Sequence, residues 1–246
     1  MYDLIKLLIS IKHPFEFESA LRGGADIIDV KDPSRGSLGL PDYSVLREVV
    51  GRVRRFDMSE VEISFAGGDF RRFEPFLEYI AYVAGSLGVN YFKIGLAIKS
   101  VDEARVVGLR VLDVLKSFNT KLVLVGYADF KRVESIEPLE VLEVSRGVEA
   151  DVVMIDTYVK DGKSTFDFLS KNYLECFTEE ARKNGLITAL AGSLRTYHVL
   201  DAIKLRFDIV GFRGAVCIGG RDGVVSEELV REVKKVIYQT PKSVIT

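Results

Sequence analysis

Eight short apolar runs rich in valine and isoleucine recur along the 246-residue chain, and their spacing constrains the fold more than any other feature. The runs begin near residues 4, 26, 61, 91, 121, 151, 186 and 208, so successive starts lie 22 to 35 residues apart. Each run has the length and the β-branched content of a buried strand. Segments with helical periodicity separate the runs, and several of these end in glycine, as helices often do.

This alternation of strand and helix predicts a (β/α)8 TIM barrel of the α/β class. A doubly wound open sheet is the alternative. It is less favoured because eight evenly spaced units suit a closed barrel, and because no GxGxxG motif follows the first strand. No linker or low-complexity tract interrupts the pattern, so we expect residues 1–246 to form one domain.

Charge and composition exclude several classes of protein. The formal net charge of −2 provides no broad attraction for nucleic acid or for an anionic membrane, and no apolar run is long enough to span a bilayer. Two cysteines and two histidines argue against a disulfide framework and a structural zinc site. We expect a cytoplasmic protein with no nucleic-acid or membrane partner. A homo-oligomer is compatible with the sequence, since barrels often assemble through their outer helices.

Three lysines stand at or just past the ends of predicted strands: Lys31 in ADIIDVK, Lys93 in VNYFKIG and Lys160 in DVVMIDTYVK. A buried lysine loses hydration, so its pKa falls and its amine becomes a nucleophile or a proton shuttle. The alternative is that these are ordinary salt-bridged lysines at the rim of a barrel.

Strand periodicity places acidic partners beside these lysines. Asp29 and Lys31 share one face of their strand, and Asp156 ends the sixth strand. Strand ends converge at the mouth of a barrel, where active sites lie. We therefore predict that one lysine forms a Schiff base with a carbonyl and another moves protons. In this scheme Asp29 holds Lys31 in position, while Asp156 and Lys160 handle hydroxyl protons and phosphate charge.

The ends of the last two strands predict phosphate binding. Gly192 and Ser193 follow the seventh run, and Arg213 and Gly214 follow the eighth. Loops at these two places hold phosphate in many barrels, with glycines allowing close approach of the backbone and arginine adding a charged donor. Ser193 could instead cap the next helix, and the glycines could simply form tight turns.

Other positions have weaker interpretations. The loop Asp32–Gly39 (DPSRGSLG) has the composition and position of a lid or substrate-binding loop, although a plain connection is the alternative. Asp129 either orients a substrate hydroxyl or caps a helix, and Asp69 is similarly ambiguous. His198 is expected on a helix surface, and Cys217 is expected to be a small buried hydrophobe.

Several blocks together resemble one family, the (5-formylfuran-3-yl)methyl phosphate synthases, also called 4-(hydroxymethyl)-2-furancarboxaldehyde-phosphate synthases. The blocks are GGADIIDVKDPSRGSLG, YFKIGL, GYAD, DVVMIDTYVKDGK, ALAGS and DIVGFRGAVC. The resemblance runs from about residue 4 to about residue 237. Two segments depart from the family pattern, namely SFAGGDFRRFEPF after the third strand and VCIGGRDG around Cys217, although Arg221 is retained.

The resemblance implies a cytosolic (β/α)8 lyase of methanofuran biosynthesis. Such enzymes condense two molecules of glyceraldehyde 3-phosphate into a phosphorylated furan aldehyde, with loss of phosphate and water. The resemblance makes Lys31 the Schiff-base lysine and Lys93 the proton-transfer lysine. It makes Asp29 and Asp156 supporting aspartates and Lys160 a further active-site lysine. No metal or organic cofactor is implied.

Two other functions remain open at this stage. A Schiff-base aldolase or lyase acting on another sugar phosphate would use the same lysines but would release an open-chain product. A non-catalytic barrel that binds a phosphorylated metabolite would show neither turnover nor a lysine adduct.

Overall fold

The computed structural model describes residues 5–55 and 60–240. Eight strands form a closed barrel in which every strand pairs in parallel with its neighbours in chain order. The strands are β1 (Lys6–Ile11), β2 (Ile27–Val30), β3 (Glu62–Phe70), β4 (Tyr91–Leu96), β5 (Lys121–Tyr127), β6 (Val152–Asp156), β7 (Ile187–Leu190) and β8 (Ile209–Phe212). The predicted (β/α)8 barrel is confirmed. Leu4, near which the first strand was expected to begin, lies outside the described residues.

Helices connect the strands. They are α1 (Phe17–Arg22), α2 (Tyr43–Arg55), α3 (Phe76–Ser86), α4 (Val101–Leu115), α5 (Phe130–Val133), α6 (Pro138–Gly147), α7 (Thr165–Phe168), α8 (Lys171–Lys183), α9 (His198–Lys204) and α10 (Glu227–Gln239). Serine side chains accept a backbone N–H at the starts of three of the longest helices, at Ser100, Ser170 and Ser226. None of the helices in the described part of the chain is long and apolar enough to cross a membrane.

The strands divide their side chains between two apolar layers. On β2, Ile28 and Val30 belong to the outer core between strands and helices, whereas Ile27 belongs to the interior of the barrel. Asp29 falls on the inward face with Ile27, because side chains alternate along a strand. The same alternation directs Lys93 of β4 and Asp156 of β6 into the barrel.

A β-bulge in β3 changes which of its side chains faces inward. Ala66 pairs with Lys93, and the next pairing joins Asp69 to Gly95. Between these two pairings, β3 therefore contains one residue more than β4. Simple alternation from Ala66 would have directed residue 68 inward. The extra residue, within Gly67-Gly68, brings Asp69 onto the inward face instead.

The segment after β8 contains a hairpin that the spacing of the eight runs does not anticipate. Its strands are β9 (Cys217–Ile218) and β10 (Val224–Val225), paired antiparallel. Cys217 is buried, as expected. His198 is also buried, contrary to the surface position expected for it, because its Nδ1 accepts the Arg195 N–H and its ring packs on Phe166.

Candidate active site

A cavity of about 320 Å³ lies at the C-terminal ends of the strands. All nine residues singled out from the sequence line it: Asp29, Lys31, Lys93, Asp156, Lys160, Gly192, Ser193, Arg213 and Gly214. Residues from β1, β2, β6 and β8 and from the loop after β7 contribute most of the wall, Lys93 is the one lining residue from β4, and none of the described lining residues comes from β3 or β5. The cavity therefore lies mainly on the side of the barrel mouth formed by β6, β7, β8, β1 and β2.

The deepest charged groups form an ion pair between β2 and β4. Lys93 Nζ lies 2.6 Å from Asp29 Oδ1, at an angle outside hydrogen-bonding geometry, and both side chains are buried. Ser10 Oγ donates to the other carboxylate oxygen of Asp29 at 2.8 Å. Burial alone would raise the pKa of Asp29, but the ammonium groups of Lys93 and Lys31 outweigh it and hold that pKa below its usual value. Asp29 therefore pairs directly with Lys93, and not with Lys31 as expected.

Lys31 has a different environment from the other two lysines. Its side chain is buried, and among the described residues no carboxylate oxygen lies within 4.0 Å of Nζ. Its hydrogen-bond acceptor is the Ser37 carbonyl oxygen, at 3.4 Å. Burial is the main cause that lowers the pKa of Lys31 to about 8. With this pKa, an appreciable fraction of the Lys31 amine is neutral near physiological pH.

Lys160 pairs with the carboxylate at the end of β6. Its Nζ lies 2.5 Å from Asp156 Oδ1 and 3.2 Å from Thr157 Oγ1. Burial would raise the pKa of Asp156, but Lys160 and Lys31 keep it below its usual value. Asp156 therefore remains an anion beside two amines, and it can accept a proton or a hydroxyl hydrogen bond from a bound molecule.

The loop after β7 has the backbone conformation expected of an anion site. Gly192 and Ser193 both adopt positive φ, +97° and +50° respectively. A side chain at position 192 would clash with Thr165 Oγ1 at 2.3 Å, so glycine is required there. Within the described chain, the N–H groups of Ser193 and Leu194 have no protein acceptor. Helix α9 begins only at His198, so Ser193 does not cap it.

Arg213, predicted to bind phosphate, directs its side chain elsewhere. Its guanidinium contacts both oxygens of buried Glu16 at 2.9 and 3.0 Å and donates to three backbone carbonyls, those of Ser10, Arg221 and Gly223. Four of the five guanidinium N–H donors are engaged in this way. These contacts favour a role for Arg213 in fixing the loops after β8. A direct contact between Arg213 and phosphate stays a prediction. Gly214 is exposed and lines the cavity, and a Cβ there would meet Arg221 at ordinary contact distances of 3.6 to 3.8 Å.

Two further arginines line the cavity and were not among the predicted site residues. Arg195 follows the loop at Gly192 and is exposed, whereas Arg221 donates from its two terminal nitrogens to Pro33 O and Gly36 O, at 2.7 Å each. Arg221 thereby ties the segment after β8 to the loop after β2. Its retention in the family pattern was the only signal for this position in the sequence.

Asp129 occupies the N-terminal cap position of α5, but its side chain makes no capping hydrogen bond. Its two carboxylate oxygens accept the backbone N–H groups of Tyr158 and Val159 at 2.7 and 2.9 Å. The residue therefore holds the loop that leads from β6 to Lys160.

Among residues 5–55 and 60–240, no group of three or more His, Cys, Asp or Glu side chains is arranged to hold a metal ion.

Comparison with known proteins gives consistent results. The sequence profile of the 4-HFC-P synthase family matches residues 7–234. The (5-formylfuran-3-yl)methyl phosphate synthase of Methanosarcina barkeri is 39% identical over 232 residues, which cover 93% of this chain and 97% of that protein. The protein of the same name from Archaeoglobus fulgidus is 36% identical over 237 residues, covering 95% of this chain and all of the relative.

A solved structure shows the same fold at low sequence identity. The 3-hexulose-6-phosphate synthase of Salmonella typhimurium superimposes with a TM-score of 0.65 at 14% identity, covering 96% of this chain and 99% of that one. At this identity the likeness concerns the barrel architecture alone.

Proposed function

The chain belongs to the 4-HFC-P synthase family of enzymes, and from this premise we propose that it is a Schiff-base-forming (5-formylfuran-3-yl)methyl phosphate synthase. The proposed reaction condenses two molecules of glyceraldehyde 3-phosphate to 4-(hydroxymethyl)-2-furancarboxaldehyde phosphate in methanofuran biosynthesis. The atoms balance with release of one phosphate and two molecules of water, so the enzyme is a lyase acting on phosphates. The observation that carries the proposal is the buried Lys31 amine, which has no carboxylate oxygen within 4.0 Å among the residues that the structure describes and lines the same cavity as the Gly192 loop.

The first proposed step is attack of the neutral Lys31 amine on the aldehyde carbon of one triose phosphate. Loss of water gives an iminium ion, which acidifies the adjacent C–H bond. Lys31 is suited to this step because burial lowers its pKa to about 8, although the charges of Asp156 and Asp29 oppose the shift.

Proton transfer is assigned to the two ion pairs that flank Lys31. The Lys93 ammonium gives its proton to the hydroxyl that leaves as water when the iminium ion forms, and the neutral Lys93 amine then takes the proton of the acidified C–H, while Asp29 keeps it oriented through the 2.6 Å contact. Asp156 and Lys160 exchange protons with the substrate hydroxyl groups that leave as water. Elimination of phosphate, an aldol-type bond to the second triose and dehydrative ring closure then give the aromatic aldehyde.

The phosphate of a bound triose is assigned to the loops after β7 and β8. The N–H groups of Ser193 and Leu194 point to no protein acceptor in the described chain, and Gly192 and Gly214 both line the cavity. Backbone N–H groups of this kind are suited to phosphate oxygens.

Product formation tests the proposal directly. Incubation of the full chain with glyceraldehyde 3-phosphate is expected to yield a phosphorylated furan aldehyde. Its conjugated ring absorbs in the ultraviolet, and its mass corresponds to the loss of one phosphate and two waters. An open-chain sugar phosphate would indicate an aldolase instead, and binding without turnover would indicate a metabolite-binding barrel.

The pH dependence of imine formation follows from the environment of Lys31. Only the neutral amine attacks a carbonyl, so the rate is expected to rise about tenfold per pH unit below the pKa and to level off above it. With the pKa of Lys31 lowered to about 8, the plateau begins near that pH. The measurement is borohydride trapping at short times over a pH series, with the Lys31 peptide quantified by mass spectrometry. A midpoint near the ordinary lysine value would contradict the assignment of Lys31 as a desolvated nucleophile.

A further inference from the structure

We propose that Asp69 is a positioning residue for the Lys31 amine and that it acts through the loop Asp32–Gly39. The inference rests on the proposed function, because it concerns the amine that forms the imine. Neither Asp69 nor the loop residues Ser37 and Leu38 are among the described residues that line the cavity. Their effect on the chemistry is therefore indirect.

The loop crosses the barrel mouth. Its ends are joined by a hydrogen bond from Asp32 N to Gly39 O at 2.8 Å. Ser37 Oγ donates to Thr157 O at 2.8 Å, which ties a loop that follows β2 to the end of β6, on the opposite side of the barrel. Leu38 is fully buried and packs into the interior apolar cluster with Ala66. The loop thus closes the β3–β5 side of the mouth and leaves the cavity on the other side.

Asp69 fixes the centre of this loop. The Leu38 N–H donates to its carboxylate oxygens at 3.1 and 3.2 Å, and the Tyr127 hydroxyl donates to Oδ1. The carboxylate fits between two glycines. A Cβ at Gly36 would lie 2.4 Å from Asp69 Oδ2, and a Cβ at Gly95 would lie 1.8 Å from the Tyr127 hydroxyl oxygen. The bulge in β3 is what directs Asp69 into this position.

The fixed loop in turn determines the surroundings of Lys31. The Ser37 carbonyl accepts a hydrogen bond from Lys31 Nζ at 3.4 Å, and the buried Ser37 and Leu38 side chains exclude water from that side. A carbonyl oxygen orients the amine without the charge that would hold it protonated, as a carboxylate would. Desolvation is accordingly the largest influence on the pKa of Lys31.

The charged groups that face Lys31 oppose one another. Two carboxylates, on β2 and β6, raise its pKa, and two ammonium groups, on β4 and after β6, lower it: Asp29, Asp156, Lys93 and Lys160. Because these influences have opposite signs, the degree of water exclusion by the loop decides how far the amine departs from ordinary lysine. Releasing the loop is expected to admit water and raise the pKa of Lys31.

The direction in which the pKa of Lys31 changes distinguishes loop positioning from a direct electrostatic effect of Asp69. Removing a carboxylate near an amine lowers the pKa of the amine, since a negative charge favours the protonated form. Releasing the loop raises it. Asp69→Ala and Asp69→Asn remove the same charge, but only the asparagine retains an oxygen that can accept the Leu38 N–H. The two variants therefore form a matched pair.

The test is competitive labelling of the full chain with a trace of acetic anhydride across neutral to alkaline pH, with acetylation of the Lys31 peptide followed by mass spectrometry. The Asp69→Ala midpoint is expected to rise by about one pH unit, and trapping of the glyceraldehyde 3-phosphate adduct at neutral pH to fall about tenfold. Trapping is expected to recover at alkaline pH. The Asp69→Asn midpoint is expected to match that of the unchanged chain.

A midpoint in folded Asp69→Ala that equals the original value would overturn the proposal, and so would equal shifts in both variants. A general loss of structure would return the Lys31 midpoint to the ordinary lysine value and abolish trapping at every pH, so recovery of trapping at alkaline pH distinguishes release of the loop from unfolding. If Asp69→Ala fails to fold, Ser37→Ala decides the question, with Ser37→Thr as the variant that keeps the hydroxyl tether to Thr157. Because anhydride labelling needs no substrate, absence of a triose adduct in the unchanged chain would refute the proposed function while the midpoints still test the loop.

Discussion

Replacing Lys31 with arginine is expected to eliminate the borohydride-trapped adduct and to lower product formation by on the order of 10³-fold or more. Arginine keeps the positive charge and much of the length of the side chain, but its guanidinium stays protonated and cannot form an imine with an aldehyde. The measurement combines intact-protein mass after trapping with glyceraldehyde 3-phosphate and the rate of appearance of the furan absorbance. The unchanged chain is expected to gain a single adduct, located on the peptide that contains Lys31.

Lys204→Arg provides the matched control, since it makes the same exchange at an exposed position at the end of α9. It is expected to leave both trapping and turnover unchanged. Circular dichroism and the thermal midpoint of Lys31→Arg establish that the barrel is intact. Lys31→Gln serves as a second variant, because its smaller neutral side chain avoids crowding the buried site. Full activity in either folded variant at position 31 would rule out covalent catalysis by this lysine.

Separating the buried pair Asp29–Lys93 is expected to have the largest effect on stability. Lys93→Met leaves an anion in the barrel with Ser10 as its hydrogen-bond donor, and Asp29→Asn leaves a buried cation without its counter-charge. Loss of one partner from a buried pair costs about 3–5 kcal/mol in the free energy of unfolding. The double variant Asp29→Asn/Lys93→Met is expected to be less destabilised than the sum, with a coupling energy of about 2–3 kcal/mol. Urea unfolding of all four proteins measures this cycle.

The exposed pair Lys171–Asp201 provides the comparison, since its nitrogen and oxygen are 2.5 Å apart but its lysine side chain is largely in solvent. The same cycle there is expected to give a coupling energy below about 1 kcal/mol.

The contribution of Asp29 to the free energy of unfolding also depends on pH. Because its pKa is lowered in the folded protein, its stabilisation is complete above the pKa of an unfolded aspartate, about 3.9, and is lost as the pH falls through the lower folded value. Additive single variants would show that the 2.6 Å contact contributes no stability.

The barrel could be predicted from the sequence because its strands are defined by local composition. Each of the eight strands is a largely buried run that contains at least one β-branched residue, and alternation alone assigns Asp29 and Lys93 to the inward face. Once the sheet closes, inward residues at the C-terminal strand ends converge. This is why the nine predicted site residues line one cavity, while their catalytic roles remain predictions.

Pairings between side chains could not be predicted in the same way. Asp29 was expected to hold Lys31, its neighbour on the same face of β2, yet its ion pair is with Lys93 on β4, two strands away. Which lysine pairs with Asp29 depends on the curvature of the closed barrel. The partner of Arg213, Glu16, lies 197 positions away in sequence. Asp69 faces inward only because of the bulge, for which the glycine pair before an acidic residue was the one local signal.

The one-sided cavity has a consequence for enzyme engineering. Leu38 and its loop fill the β3–β5 side of the mouth, and the glycines at positions 36 and 95 allow no larger residue beside the Asp69 carboxylate and the Tyr127 hydroxyl. Libraries intended to admit bulkier aldehydes should therefore diversify residues 195 and 215, which line the cavity but are neither in the Lys31 loop nor among the groups assigned to phosphate. Substitutions at 36, 69 and 95 should be varied together, since each constrains the space available to the others.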